Sequence, residues 1–255
     1  MGVRTVRPLT WTAMSVIVLI LLWSLVIVVF EPKEYLLPAP WAVLDRLVTS
    51  MGSLVADSQP TLYVVFVGYL AGVIVSVPLG ILIVASKWVE RLAYPLLVGF
   101  NAIPKVALAP LFVVWFGYGS TPRIVVTFSI VFFPIVVSTV TGLRSTDPEM
   151  LRLVRSMGAK PSRTFLGLRL PNALPSVFSG LKIATSMAVI GAIIGEFVAS
   201  DEGWGYLLIR AQGELDTTLI FAIAILLAVV ATVLYYAVEL IERVVMPWHA
   251  SHRAR

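Results

Sequence analysis

Six long apolar runs constrain this chain more than any other feature. They are Trp11–Phe30, Tyr63–Ala85, Leu92–Phe116, Ile124–Leu143, Leu174–Ala199 and Thr218–Ile241. A helix needs roughly 20 apolar residues to cross a bilayer, and each run meets that length. Only helices or closed barrels satisfy the backbone inside lipid, so the expectation is an all-α membrane protein with six transmembrane helices. The chain is 59% hydrophobic and 13% charged. Soluble domains carry about 25% charged residues, so a water-soluble enzyme and a disordered chain are both excluded. There is no cysteine, which removes disulfides, thiol nucleophiles and thiolate metal sites.

Lys and Arg in the loops set the orientation. With the N-terminus inside, the cytoplasmic segments hold Arg4, Arg7, Lys87, Arg91, Arg144, Arg152, Arg155, Lys160, Arg163, Arg169, Arg243, Arg253 and Arg255. The outer loops hold only Lys33, Arg46, Arg123 and Arg210, together with eight of the 14 acidic residues. Both termini are therefore expected in the cytoplasm. The net charge of +5 reads as basic cytoplasmic loops and not as a nucleic-acid surface. Arg4 and Arg7 before the first run suggest a signal peptide, but Glu31-Pro32-Lys33-Glu34 follows in place of a small-residue cleavage site. A retained anchor is expected. The chain then divides into an anchor and outer segment (1–61), a core transmembrane domain (62–245) and a cytoplasmic tail (246–255).

Two stretches are neither span nor simple turn. Trp41, Leu44, Leu47, Val48 and Met51 recur at helical spacing opposite Asp45, Arg46, Thr49 and Ser50. That pattern predicts an amphipathic helix on the outer surface. The other is the basic loop 144–172. Asp147 and Pro148 suit a helix start. Met150, Leu153, Val154 and Met157 form one face, Glu149, Arg152 and Arg155 project elsewhere, and Gly158 suits a C-terminal stop. A second short helix is expected from Ser162 to Leu168, stopped by Leu170-Pro171. Such helices suit either the membrane surface or a groove on a soluble partner.

This loop resembles the signature of bacterial ABC importer permeases, E-A-A-x-x-x-G followed after nine residues by I-x-L-P. Here Gly158 is followed after nine residues by Leu168-Arg169-Leu170-Pro171. The likeness narrows to nitrate/sulfonate/taurine-type permeases through three further stretches. These are Leu37-Pro38-Ala39-Pro40, the run from Pro104 through Ala109-Pro110-Leu111 to Trp115-Phe116-Gly117, and Gly195-Glu196-Phe197 continuing to Gly203-Trp204-Gly205-Tyr206-Leu207. Arg152 occupies the position of the motif's Glu, and Leu153 and Val154 those of its alanines. Glu149, one turn earlier, is placed to supply an acidic contact.

The resemblance implies a type I importer permease fold of the MetI-like kind, with cytoplasmic coupling helices, in a bacterial inner membrane. It implies a second permease copy, a cytoplasmic ATPase dimer and an external binding protein that delivers a small solute. Asp147, Glu149, Arg152, Leu153, Arg155, Met157, Gly158 and Ala159 are then the expected ATPase-coupling residues. The subfamily points to a nitrate-, sulfonate- or taurine-like anion, and relatives that carry vitamin precursors leave a small organic solute open. The chain has no G-x-x-x-x-G-K-[ST] loop for nucleotide phosphates. No cofactor and no metal are implied.

Ionisable residues inside a span are candidates for function. Lys105 lies midway in the third run, with Asn101 one turn away and Pro104 beside it. Lys182 and Glu196 lie in the fifth. These five are the expected pathway residues. The structural alternatives are that Glu196 reaches the outer surface, that Lys182 snorkels or meets a carbonyl, and that Lys105 pairs with Glu196 or a carbonyl. A membrane enzyme is the first rival reading. It is opposed by the absence of any Asp within the runs and by the placement of both histidines, His249 and His252, in the tail. An ATP-independent channel or carrier is the second rival, opposed by the docking loop.

Overall fold

The computed structural model describes residues 7–248, so His249 and His252 lie outside the described residues. The described chain is helical: α1 (Arg7–Phe30), α2 (Pro40–Thr49), α3 (Met51–Ala56), α4 (Ser58–Ala85), α5 (Lys87–Ala102), α6 (Lys105–Phe116), α7 (Ser120–Arg144), α8 (Pro148–Ser156), α9 (Pro161–Thr164), α10 (Leu170–Ala199), α11 (Gly203–Glu214) and α12 (Thr217–Val245). A π-helical turn, Phe165–Arg169, joins α9 to α10. Among the described residues, four helical stretches are long and apolar enough to cross a membrane, and the bent pair α5–α6 would make a fifth.

The core is built around α7, which packs between α4 and α10. Small residues let these backbones close up, as in membrane bundles where packing and not hydrophobicity drives association. Gly68, Gly72, Ser76 and Gly80 recur every fourth residue along α4. A methyl group added at Gly72 would sit 2.3 Å from Val131, and one at Gly80 would sit 2.7 Å from Thr139. The Ser76 hydroxyl donates to the Phe132 carbonyl across the same seam at 3.1 Å. On the other side of α7, Gly180 meets Ser138 and Gly191 meets the Thr127 backbone. Val64, Val65, Val131, Ile135, Ala184 and Ala188 fill the remaining interior. Peripheral α1 touches the body through Trp23, whose ring stacks 5.3 Å from that of Phe221.

Three expectations change. The third run is not one continuous helix: α5 and α6 meet at 99°. Pro104 has no N–H to give and forces the residue before it out of the helical region. Ile103 is accordingly extended, at φ −74° and ψ 127°. The second loop helix does not stop at Leu170-Pro171, because helical structure continues from Pro161 to Ala199. The π turn widens the helix just before Pro171, and the Leu170 N–H reaches back five residues to the Phe165 carbonyl. That register shift accommodates a residue with no donor of its own. In the outer segment, Val43 and Leu47 are buried against Trp204 and Ile223, while Trp41, Leu44 and Val48 of the predicted face stay exposed. Arg46, expected on the polar side, is fixed to Asp216 by a 2.9 Å ion pair.

Candidate functional site

The coupling loop is built as its local sequence dictates. The Asp147 carboxylate accepts the Glu149 N–H at 2.7 Å and caps α8. At the other end Gly158 takes φ +76°, the left-handed conformation that favours glycine. Its neighbour Ala159 donates back to the Val154 carbonyl at 3.3 Å, which closes the helix end. No residue of α8 is buried. Met150, Leu153 and Met157 project outward at 51%, 60% and 78% exposure, beside exposed Glu149, Arg152 and Arg155. Val154 and Ala159 turn partly inward. A capped helix with an uncovered apolar stripe is a surface shaped to enter a groove.

The intramembrane candidates occupy three separate places. Lys105 opens α6 at the break. Its ammonium donates to the Asn101 carbonyl at 2.7 Å and to Asn101 Oδ1 at 3.1 Å. Pro104 and Asn101 are exposed on the same bend. Lys182 is paired with Glu242 near the end of α12, and its ammonium lies 5.6 Å over the Tyr235 ring. Glu196 does not reach the surface: it is completely buried. Its Oε2 accepts the Thr61 hydroxyl at 3.0 Å and the Gly205 N–H at 2.6 Å. Thr61 in turn accepts the Trp204 N–H at 2.9 Å, and the Trp204 indole donates to the Leu54 carbonyl at 2.8 Å. One carboxylate thus ties α10 to α4 and to the start of α11.

Sequence reasoning missed three partners. Glu239 lies inside the sixth apolar run and is buried, accepting from Arg243 one turn on at 2.6 Å. Its position in the run was readable. Glu242 falls just past that run, and its link to Lys182 depends on how α10 and α12 pack. Arg123 reads as a loop cation, yet only 4% of it is exposed. It donates to the Gly119 carbonyl, to Ser200 and to Glu202, stitching the start of α7 to the α10–α11 connection. Among the described residues no group of acidic or histidine side chains is placed to hold a metal.

A family model described as the binding-protein-dependent transport system inner membrane component matches residues 65–247. The chain belongs to this family. It is 37% identical over 239 residues to a probable ABC transporter permease protein of Haemophilus influenzae, covering 94% of this chain and 96% of the relative. It is 37% identical over 217 residues to the formylaminopyrimidine transport permease of Halalkalibacterium halodurans, covering 85% and 87%. With the taurine transport permease of Escherichia coli it shares 27% over 252 residues, covering 96% and 92%. A solved inward-facing structure of the MetNI methionine ABC transporter has the same fold, with a TM-score of 0.65 at 23% identity over 77% of this chain and 98% of that one. The protein is thus a multi-pass permease subunit of an ABC importer, a transport component and not an enzyme. Such a subunit works with an ATPase and a substrate-binding protein.

Proposed function

We propose that two copies of this permease form a solute pathway lined by the α5–α6 break, with six crossings per copy and both termini in the cytoplasm. The observation that carries this reading is the bend itself. Non-helical backbone at membrane depth is tolerated only where it is buried in protein or lines water. Here Asn101, Ala102, Ile103 and Pro104 are exposed around a lysine, a surface too polar to face hydrocarbon. A second copy across a hydrated pathway is the partner that suits it. On the cytoplasmic side α8 and its cap, from Asp147 and Glu149 through Arg152, Leu153, Arg155 and Met157 to Gly158 and Ala159, enter the ATPase and transmit its closure.

The solute is a small organic molecule of the pyrimidine vitamin-precursor class. The support is the stronger likeness to the formylaminopyrimidine permease, 37% against 27% for the taurine permease. The anion reading rests on the taurine and sulfonate likeness and on Lys105, whose ammonium is already engaged by Asn101. The test is uptake in liposomes holding the permease, its ATPase and its binding protein, with labelled formylaminopyrimidine and taurine supplied separately. ATP-dependent uptake of the pyrimidine alone is the expected result. Uptake of taurine alone would restore the anion reading, and flux of either without ATP would overturn the importer assignment for this chain.

A further inference from the structure

At the end of α8 the structure holds a cavity of about 440 Å³ that the pathway does not use and that shares Arg155 and Ala159 with the coupling segment. Its walls include Val84 and Ala85 from the last turn of α4, Arg155 from the end of α8, Ala159 just beyond it, Pro161 and Thr164 from α9, and Phe165 and Arg169 from the π turn. One wall is therefore apolar and belongs to a membrane-crossing helix. The other carries two guanidinium groups from different elements.

Neither Arg155 nor Arg169 has an ion-pair or hydrogen-bond partner among the described residues, as is also true of the exposed Arg91, Arg152 and Arg163, whereas Arg46, Arg123, Arg144, Arg210 and Arg243 are paired. Local acids do not compensate. Residues 144–172 hold six basic side chains against two acidic ones, Asp147 and Glu149. Both acids sit at the far end of α8, and Asp147 is occupied as its cap.

Depth decides what kind of anion fits. The cavity lies where α4 ends; Leu82 in the last turn of that helix and Trp88 at the start of α5 are 54% and 82% exposed. An exposed tryptophan six residues after an exposed leucine, across the α4–α5 junction, suits the boundary between acyl chains and headgroups. Basic pockets between helices at that level suit anionic lipid heads. The π turn contributes as well. Such insertions change the facing of side chains and gather at functional positions, and this one puts Phe165 and Arg169 on the same cavity. A free phosphate would use the guanidiniums and leave the Val84–Ala85 wall wet. An acidic side chain of the ATPase would cover the arginines from below and have no use for that wall.

We propose that this cavity is a headgroup site for an anionic phospholipid such as phosphatidylglycerol. The phosphodiester lies between Arg155 and Arg169, and the acyl chain runs along Val84 and Ala85 toward Leu82. A lipid held there braces the end of the coupling helix against α10. The inference rests on the cytoplasmic placement of loop 144–172 proposed above.

The test uses the permease–ATPase complex in lipid nanodiscs carrying trace photoreactive phosphatidylglycerol or phosphatidylcholine. In the wild type, phosphatidylglycerol should label segments 82–88 and 155–169 about tenfold over phosphatidylcholine. Arg155→Gln with Arg169→Gln should lower that label to the phosphatidylcholine level, and Arg169→Lys in the wild-type background should keep most of it. Equal labelling by both lipids would overturn the proposal. So would displacement of the label by millimolar inorganic phosphate, which would make this a site for a free anion. Loss of ATPase assembly in the double variant, with wild-type labelling already equal for the two lipids, would assign the arginines to the ATPase instead. The wild-type comparison stands alone if the double variant does not fold. Solute uptake by the wild-type complex is measured separately, so failure of the lipid site leaves the importer reading to its own test.

Discussion

Removing the Glu196 carboxylate should loosen α11 before it affects the rest of the bundle. The side chain is fully buried, and its Oε2 holds Thr61 and the Gly205 N–H. In Glu196→Ala the buried Gly205 N–H loses its acceptor, which costs about 1–3 kcal/mol. The void left by the side chain adds to this, while relief from burying a carboxylate offsets part of it. A net loss of about 2–4 kcal/mol follows, above the roughly 1–2 kcal/mol of single polar contacts in membrane bundles because a cavity is added to the lost hydrogen bonds. For a chain of this size that is roughly 4–16 °C in thermal midpoint. Glu196→Gln keeps an oxygen where Oε2 stands. Its amide nitrogen falls where Oε1 now lies without a hydrogen-bond partner, so it should cost only about 1 kcal/mol. The assay is thermal unfolding of the purified chain in detergent, joined with hydrogen exchange across residues 203–207. In the alanine variant, exchange there should quicken by roughly 10–100-fold while α7 stays protected. Unchanged exchange and midpoint would refute the reasoning. A glutamine variant as damaged as the alanine one would show that charge, acting toward Arg123, and not hydrogen bonding holds the junction.

Further outcomes are expected elsewhere. Gly158→Val must force a β-branched residue to φ +76°, which strains the α8 cap by about 1–3 kcal/mol; ATPase co-purification and uptake should fall while membrane insertion is normal. Gly72→Leu drives a side chain into Val131 and should destabilise the α4–α7 seam by about 1–3 kcal/mol or more, read as lost monodispersity in detergent. Lys105→Met frees the Asn101 carbonyl at the α5–α6 break; uptake should drop with complex assembly and basal ATPase activity nearly unchanged, and an equal loss of assembly would show a structural role. The purified chain alone should hydrolyse no ATP, because it has no phosphate-binding loop; a radiolabelled ATP assay checks this.

Much of the coupling loop was legible in the residues because its geometry is local. Asp147 before Pro148, an apolar stripe and then Gly158 specify a cap, a helix and a left-handed stop within a dozen residues. The structure repeats each of them. The apolar runs were legible for a similar reason, since bilayer thickness turns length and hydrophobicity directly into helices. Proline effects were only half legible. Pro104 and Pro171 both lack a donor, yet one breaks its helix at 99° while the other is absorbed by a π turn within a continuous helix.

What the sequence alone determined is therefore the membrane class, the capped loop helix and the family likeness, all of which depend on near neighbours or on composition. Tertiary structure alone decided which charges are solvated and which are engaged. Glu196 reads as a residue near a helix end and is the buried knot of three helices. Arg123 reads as a loop cation and is buried against Ser200 and Glu202. Lys182 finds Glu242, 60 positions along the chain. These pairings join residues far apart in sequence, and each depends on how separate helices pack. Periodicity in one segment carries no information about which distant segment will close over it.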